Sequence, residues 1–470
     1  MQPTSSWLGR RAPRPGSAAT GHLLASAAFL ASGGILWLLA LASVRFPGLV
    51  PMSHGHLRAM ALTGLLLGWL VLGLSGGIYY VLPRLTGTPL QAEGLAVLAL
   101  PAHIVVVSLG MVAVGLGFGD GREPFALPLI LDVVVLGLLT VPALVSVATI
   151  RQRHEESLYP TIWFILAAVI WLPVLYLAGN VPGLNPLAAN LSDLVFGAGF
   201  LAIWGLGLAT GLAYYAVPKA SEQPLANRQL AKVGFWSIIF GAVWAGPVQL
   251  VAGPLPEWSQ GVAAVLGLAL PIGAVANATN FSLTVGPGWR RLRQEPVLAA
   301  ALAGSFLAVL ATSLTAIAGF RSAAVVVALT AFWDGVLYLH VFGAIGLLFA
   351  SFAWHALPNL VGRSVDQRRA STVVRRTVMY VTIASMLLVS AGLAAGYSWA
   401  GGAFTGTFVP VGEGWSQAMG LSNLLFGLAV LFGLGALVSQ FGLALSLYRA
   451  LTSGRATMQE VLIESGGDRE

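Results

Sequence analysis

The sequence predicts an all-α integral membrane protein of twelve transmembrane helices, arranged as three pseudo-equivalent sets of four. Three observations lead there. Of 470 residues, 57% are apolar and only 9% are charged, a balance outside the range of soluble domains. Apolar stretches of membrane length recur from end to end, and no link between them is large enough to be a soluble domain. One helix-end string also returns at a regular interval, as internal repeats do.

The first set of four runs over 21–43, 59–82, 94–118 and 125–149. The segment 1–20 ahead of it carries Arg10, Arg11 and Arg14. The first stretch is long enough to span and has no small-residue cleavage site before a soluble domain, so it reads as a span rather than a cleaved signal. The second ends Tyr79-Tyr80-Val81-Leu82-Pro83-Arg84, with Pro89-Leu90 following. In the third, the string from Gly115 to Gly119 reads as helix packing or a helix end, not a phosphate-cradling loop.

The second set runs over 160–179, 191–217, 233–252 and 260–286. Its second member ends Tyr214-Tyr215-Ala216-Val217-Pro218-Lys219, followed by Pro224-Leu225. The third set runs over 297–319, 333–357, 377–397 and 418–448, and its second member ends Trp354-His355-Ala356-Leu357-Pro358-Asn359. These prolines lie 135 and then 140 residues apart. The spacing predicts three parallel copies of a four-helix unit about an axis along the membrane normal, unlike inverted transporter repeats. The whole of 21–449 reads as one membrane domain, with a short polar tail over 450–470.

Basic residues give the orientation. With the N-terminus in the cytoplasm, 20 of the 24 Lys and Arg fall on the cytoplasmic side, and only Arg45, Arg58, Arg122 and Arg321 fall outside. Both termini are then cytoplasmic, in a membrane of the bacterial inner type. The net charge of +7 is explained by topology and by contact with anionic lipid, and no nucleic-acid partner is implied. Without cysteine, disulfides and thiolate-held metals are excluded, so any metal or heme must rest on the seven histidines or on oxygen ligands.

The seventh stretch carries Val243-Trp244-Ala245-Gly246-Pro247-Val248-Gln249-Leu250, with Pro254-Leu255-Pro256-Glu257-Trp258 beyond it. Together with the string from Tyr214 to Leu225 and the link Trp289–Pro296, this resembles the heme–copper oxidase superfamily subunit I. It is most similar to the large subunit of cbb-type cytochrome c oxidase, and nitric oxide reductases are more distant. The resemblance implies the subunit I architecture and respiratory electron transfer to oxygen. It also implies a low-spin heme held by histidines of helices 2 and 10, a second heme on helix 10, and a copper ion on one histidine of helix 6 and two of helix 7.

Carried over position by position, those ligands are missing. The copper positions fall at Ala198, Val248 and Gln249, and the histidine pair of the tenth stretch falls at Val336 and Tyr338. If Arg58 is the arginine of the family's Arg-x-x-His, the helix 2 histidine is Ala61. The motif tyrosine of the seventh stretch is Ala242, and the glutamate of the ninth is Ala318. The missing histidines therefore imply that copper is absent.

Other histidines keep part of the chemistry open. A two-residue slip makes His340 the low-spin ligand, with His56 or His54 as its partner and one b-type heme between them. The competing reading makes His340 a hydrogen-bonded interior residue and the other two solvated. His103 and Asp132 are candidates for a proton or polar path, against ordinary interhelical hydrogen bonding. Asp193 and Asp334, near helix starts, read as N-terminal caps. His355 reads as an interface residue, and Asn277, Thr279 and Asn280 as one polar face.

Three functions remain open. One is an accessory or single-heme electron-transfer subunit of a respiratory complex, working with a periplasmic cytochrome c or copper protein. Another is an active terminal oxidase that pumps protons. The last is a cofactor-free channel or carrier whose emptied cavities are filled by bulky residues such as Trp204, Tyr338 and Phe342.

Overall fold

The computed structural model describes residues 16–452, apart from 120, 125–126, 182, 287–291, 293, 362–365 and 406–410. Arg10, Arg11, Arg14, Arg290, Arg291, Arg293, Arg363, Arg455 and Arg469, much of the link Trp289–Pro296, and nearly all of the polar tail lie outside the described residues.

Twelve helices are long and apolar enough to cross a membrane, and all regular structure among the described residues is helical. They are α1 (Ser17–Arg45), α2 (His54–Thr86), α3 (Glu93–Gly115), α4 (Leu129–Arg151), α5 (Pro160–Gly179) and α6 (Pro186–Ser221). There follow α7 (Arg228–Leu250), α8 (Glu257–Val285), α9 (Pro296–Ile317), α10 (Phe332–Leu360), α11 (Gln367–Ser398) and α12 (Gly420–Gly442). Each coincides with one apolar stretch of the sequence. The chain is a multi-pass membrane protein.

The second helix of each set lies at the centre. The most apolar window of α2 is entirely buried, and α6 and α10 follow at 72% and 89%, whereas α3 and α12 bury about a third. The three central helices touch one another. Each widens midway into a π-helical segment, over Thr63–Leu70, Phe200–Gly207 and Leu339–Ile345. Pro83, Pro218 and Pro358 follow the starts of these segments by 20, 18 and 19 residues. Runs of π-helix are rare and cluster at functional positions, so three at equivalent depths carry the repeat in the backbone itself.

The π segments also pack on each other. Trp204 Nε1 donates to the Leu70 carbonyl at 3.4 Å, and Trp69 stacks on Phe342 with ring centroids 6.0 Å apart. A Cβ added at Gly205 would lie 2.7 Å from Ile345. Small residues let these backbones approach closely, which is how helices associate in lipid without a hydrophobic driving force.

The proline ends match as well. α2 closes where the Gly87 N–H binds the Pro83 carbonyl, with Gly87 left-handed at φ 69°. α6 closes on the Pro218 carbonyl, with Glu222 left-handed at φ 56°. Arg84 lies 3.7 Å over the ring of Tyr80, and Lys219 lies 5.3 Å over that of Tyr215. His355, expected at the interface, packs edge-on against Tyr215 at 5.7 Å.

Candidate functional site

Away from the proline ends, the central helices enclose a cavity of about 180 Å³. Its wall brings together Ala198 of α6, Gln249 of α7, and Val336 and His340 of α10, with Leu62 and Leu66 of α2 and Thr312 and Thr315 of α9. Three positions at which the resemblance places metal or heme ligands thus border one space, although they lie far apart in sequence.

The local backbone of α7 decides which of them reach it. The helix runs from Arg228 to Ala245 and then tightens into one 3₁₀ turn over Pro247–Leu250. Pro247 has no N–H to continue the α-helical ladder. Gly246 is required by close approach, because a Cβ there would meet the Leu194 backbone of α6 at 2.5 Å. The turn sends adjacent side chains different ways. Gln249 borders the cavity. Val248 is buried in a separate apolar cluster with Val251, Ala263 and Ala324.

On the opposite side of α10 the space is filled. Tyr338 stacks on Trp37 of α1 at 6.5 Å and leans on Phe342 at 4.8 Å, and Phe342 in turn stacks on Trp69. The voids left beside these rings measure about 10 Å³ or less. Trp204, Tyr338 and Phe342 are all buried. Ala61, Ala242 and Ala318 are buried too, and none of the three borders the cavity.

His340 lies on the cavity side, one turn beyond Val336. Its Nδ1 pairs with the Val336 carbonyl at 3.0 Å, and its Nε2 has no hydrogen-bond partner among the described residues. The structure does not bring it together with His54 or His56. His54 Nδ1 pairs with the Ala40 carbonyl at 2.8 Å, while His56 is exposed and lies beside Gly117. Neither borders the cavity.

The mouth is charged, with two arginines set among three carboxylates. Arg58 bonds both Glu123 oxygens, at 2.9 and 3.0 Å, and also binds Asp334 of α10. Its guanidinium lies 5.4 Å over Trp37. Arg122 binds Asp193 at 2.6 and 3.2 Å. The reading of Asp193 and Asp334 as caps is corrected: Asp193 lies inside α6, which Asn185 caps, and Asp334 lies in the first turn of α10 without a capping bond, while both pair with arginines on other elements.

Residues 17–445 match the family model described as cytochrome c and quinol oxidase polypeptide I. The chain belongs to that family, the subunit I of heme–copper oxidases. It is 24% identical over 363 residues to the Cbb3-type cytochrome c oxidase subunit CcoN1 of Stutzerimonas stutzeri, covering 74% of this chain and 76% of that one. A cytochrome c oxidase subunit 1 homolog (bacteroid) of Bradyrhizobium diazoefficiens is 32% identical over 168 residues, or 33% of this chain and 30% of its own. Among solved structures, a heme–copper terminal oxidase dimer shares the fold, with a TM-score of 0.71 at 14% identity over 90% of this chain and 84% of that one.

The family binds copper and heme through imidazoles, and the residues at the copper positions of this member do not fit that metal. Copper would meet a methyl group at Ala198, a carboxamide at Gln249, and at Val248 a side chain turned away. No group of three or more His, Cys, Asp or Glu side chains that could hold a metal occurs among the described residues. On the low-spin side, the rings of Tyr338, Phe342, Trp37 and Trp69 pack together between α1, α2 and α10. On the cavity side, about 180 Å³ has room for one ring, since a cavity of about 150 Å³ takes a single benzene.

Asp132 and His103 are both buried and both partnered. Tyr176 of α5 donates to Asp132 at 2.6 Å. His103 Nε2 pairs with the Leu67 carbonyl at 2.9 Å, and the residue borders a void of about 10 Å³ with His22, Ser75 and Tyr79. Asp132 does not border that void. The polar face of α8 divides: Asn277 and Asn280 clasp the Tyr214 hydroxyl, at 2.7 and 3.2 Å, while Thr279 is exposed.

Proposed function

We propose that this chain is a diverged heme–copper oxidase subunit I without the copper and oxygen-reducing centre, acting as an accessory membrane subunit of a respiratory complex. One observation carries the reading. The cavity where copper and the oxygen-binding heme are expected is lined by Ala198, Gln249 and Val336, and His340 is its only imidazole among the described residues. Its relatives are named as cytochrome c oxidase subunits, so the partner we propose is a periplasmic electron-transfer subunit, a cytochrome c or a copper protein. The positive side of the sequence sets the proline ends and both termini in the cytoplasm, with the cavity toward the outer face of a bacterial inner membrane.

A second reading is favoured by the open Nε2 of His340: one b-type heme held from the cavity side, making the chain an electron-transfer subunit. His56 or His54 would have to move to supply the other axial ligand. A polar path through Asp132 or His103 belongs to the same reading, as a route for compensating protons.

The test is oxygen consumption with reduced cytochrome c, together with copper content, on the purified complex with and without this chain. Assembly that depends on the chain, with no copper bound to it, is the expected result. Stoichiometric copper and turnover in the isolated chain would restore the active oxidase. Solute flux through the chain alone would support a channel or carrier instead.

A further inference from the structure

The cavity is more than a leftover space, because its polar groups are unspent. The Gln249 carboxamide has no hydrogen-bond partner among the described residues, and neither has His340 Nε2. Thr312 and Thr315 donate their hydroxyls to the Ala308 and Ala311 carbonyls, at 2.7 and 3.0 Å, and keep their oxygen lone pairs free to accept. Polar groups with no protein partner are free to hydrogen-bond a ligand that enters. Elsewhere the wall is aliphatic, with Leu66 and Leu206 among its members. Both arginines at the mouth are ion-paired and carboxylates outnumber them three to two, so the mouth does not invite an anion. An apolar cavity with a few convergent polar groups is the usual form of a small-molecule site.

We infer that the cavity binds an uncharged, ring-sized molecule bearing both a hydrogen-bond donor and an acceptor, of the class of small phenols and aromatic amides. Gln249 both donates to and accepts from the polar end, His340 Nε2 supplies a second contact, and the threonine hydroxyls accept. The ring fills the aliphatic part. The volume of about 180 Å³ sets the limit at a single ring, slightly above the benzene that a cavity of about 150 Å³ takes. This inference rests on the proposal above only in that no porphyrin occupies the space.

The experiment uses the full chain in lipid nanodiscs with fluorine NMR. The probes are 4-fluorophenol and 4-fluorobenzamide, with 4-fluorobenzoate as the charged analogue and empty nanodiscs as the partition blank. One saturable bound resonance is expected for each neutral probe and none for the carboxylate. Gln249→Leu and His340→Leu should each weaken the neutral probes about five- to tenfold, the effect of one lost hydrogen bond. Ala198→Phe, which fills the space, should abolish the bound resonance.

Absence of a bound resonance with wild-type protein would overturn the inference. So would a resonance unaffected by both Gln249→Leu and Ala198→Phe, or equal binding of the carboxylate. Circular dichroism and size exclusion report whether each variant folds. Should Ala198→Phe not fold, the nearly isosteric Gln249→Leu decides alone. An absorption spectrum of the same sample separates the two failures. A colourless protein that binds no probe contradicts only the ligand, whereas a heme-loaded one contradicts the account of the empty centre as well.

Discussion

Tyr80 and Tyr215, each three residues ahead of its helix-end proline, meet edge to face between the proline ends of α2 and α6 with ring centroids 6.2 Å apart. The third equivalent residue, His355, completes the row against Tyr215 at 5.7 Å. One repeat position thus supplies all three rings, and two such contacts join the second four-helix unit to the first and to the third. A sequence motif at helix ends becomes the place where the repeats are joined.

Replacing Tyr215 by Ala removes the ring that touches both of the others. Truncation of a buried aromatic costs about 3–5 kcal/mol, so the melting temperature of the purified protein should fall by many degrees. Replacing Tyr80 should cost a similar amount. A Tyr215→Ala protein that melts with the wild type would show that the row is incidental.

Gly246→Ala tests the joint between α6 and α7. The added methyl would meet the Leu194 carbonyl carbon and oxygen at 2.5 Å, and backbone cannot step aside as a side chain can. Overpacking of this kind costs about 1–3 kcal/mol or more, and lower yield and lower thermal stability are expected. Gly137→Ala, where a Cβ meets nothing within 4 Å, is the control and should be harmless.

The ion pairs at the mouth can be read by a double-mutant cycle. Arg58→Gln leaves the carboxylates of Asp334 and Glu123 without their cation, and breaking a half-buried pair should cost about 2 kcal/mol. Combined with Asp334→Asn the loss should be smaller than the sum, with a coupling of about 1 kcal/mol or more. Strict additivity in thermal unfolding would mean that the pair does not hold α2 to α10.

The spans and the repeat were legible because hydropathy and recurring strings are local properties. The ends moved by a few residues, as where 125–149 became Leu129–Arg151. The π-helical segments were not legible, since an extra residue per turn leaves no mark on composition. Nor were the partners of Asp334 and Asp193, because Arg58 lies 276 residues from the first and Arg122 lies 71 from the second. His340 shows the same limit within one helix. A slip of two residues looks small in sequence, yet it turns a side chain by roughly 200° around an α-helix. It carries His340 from the side of Tyr338 to that of Val336, where the cavity lies.

The most direct measurement is a reduced-minus-oxidised visible spectrum with copper analysis on the purified full-length protein. The account predicts no carbon-monoxide-sensitive heme and no copper, because Ala198, Val248 and Gln249 offer no imidazole and Val336 stands where the histidine of the oxygen-binding heme is expected. Stoichiometric copper beside a carbon-monoxide-binding heme would contradict it outright.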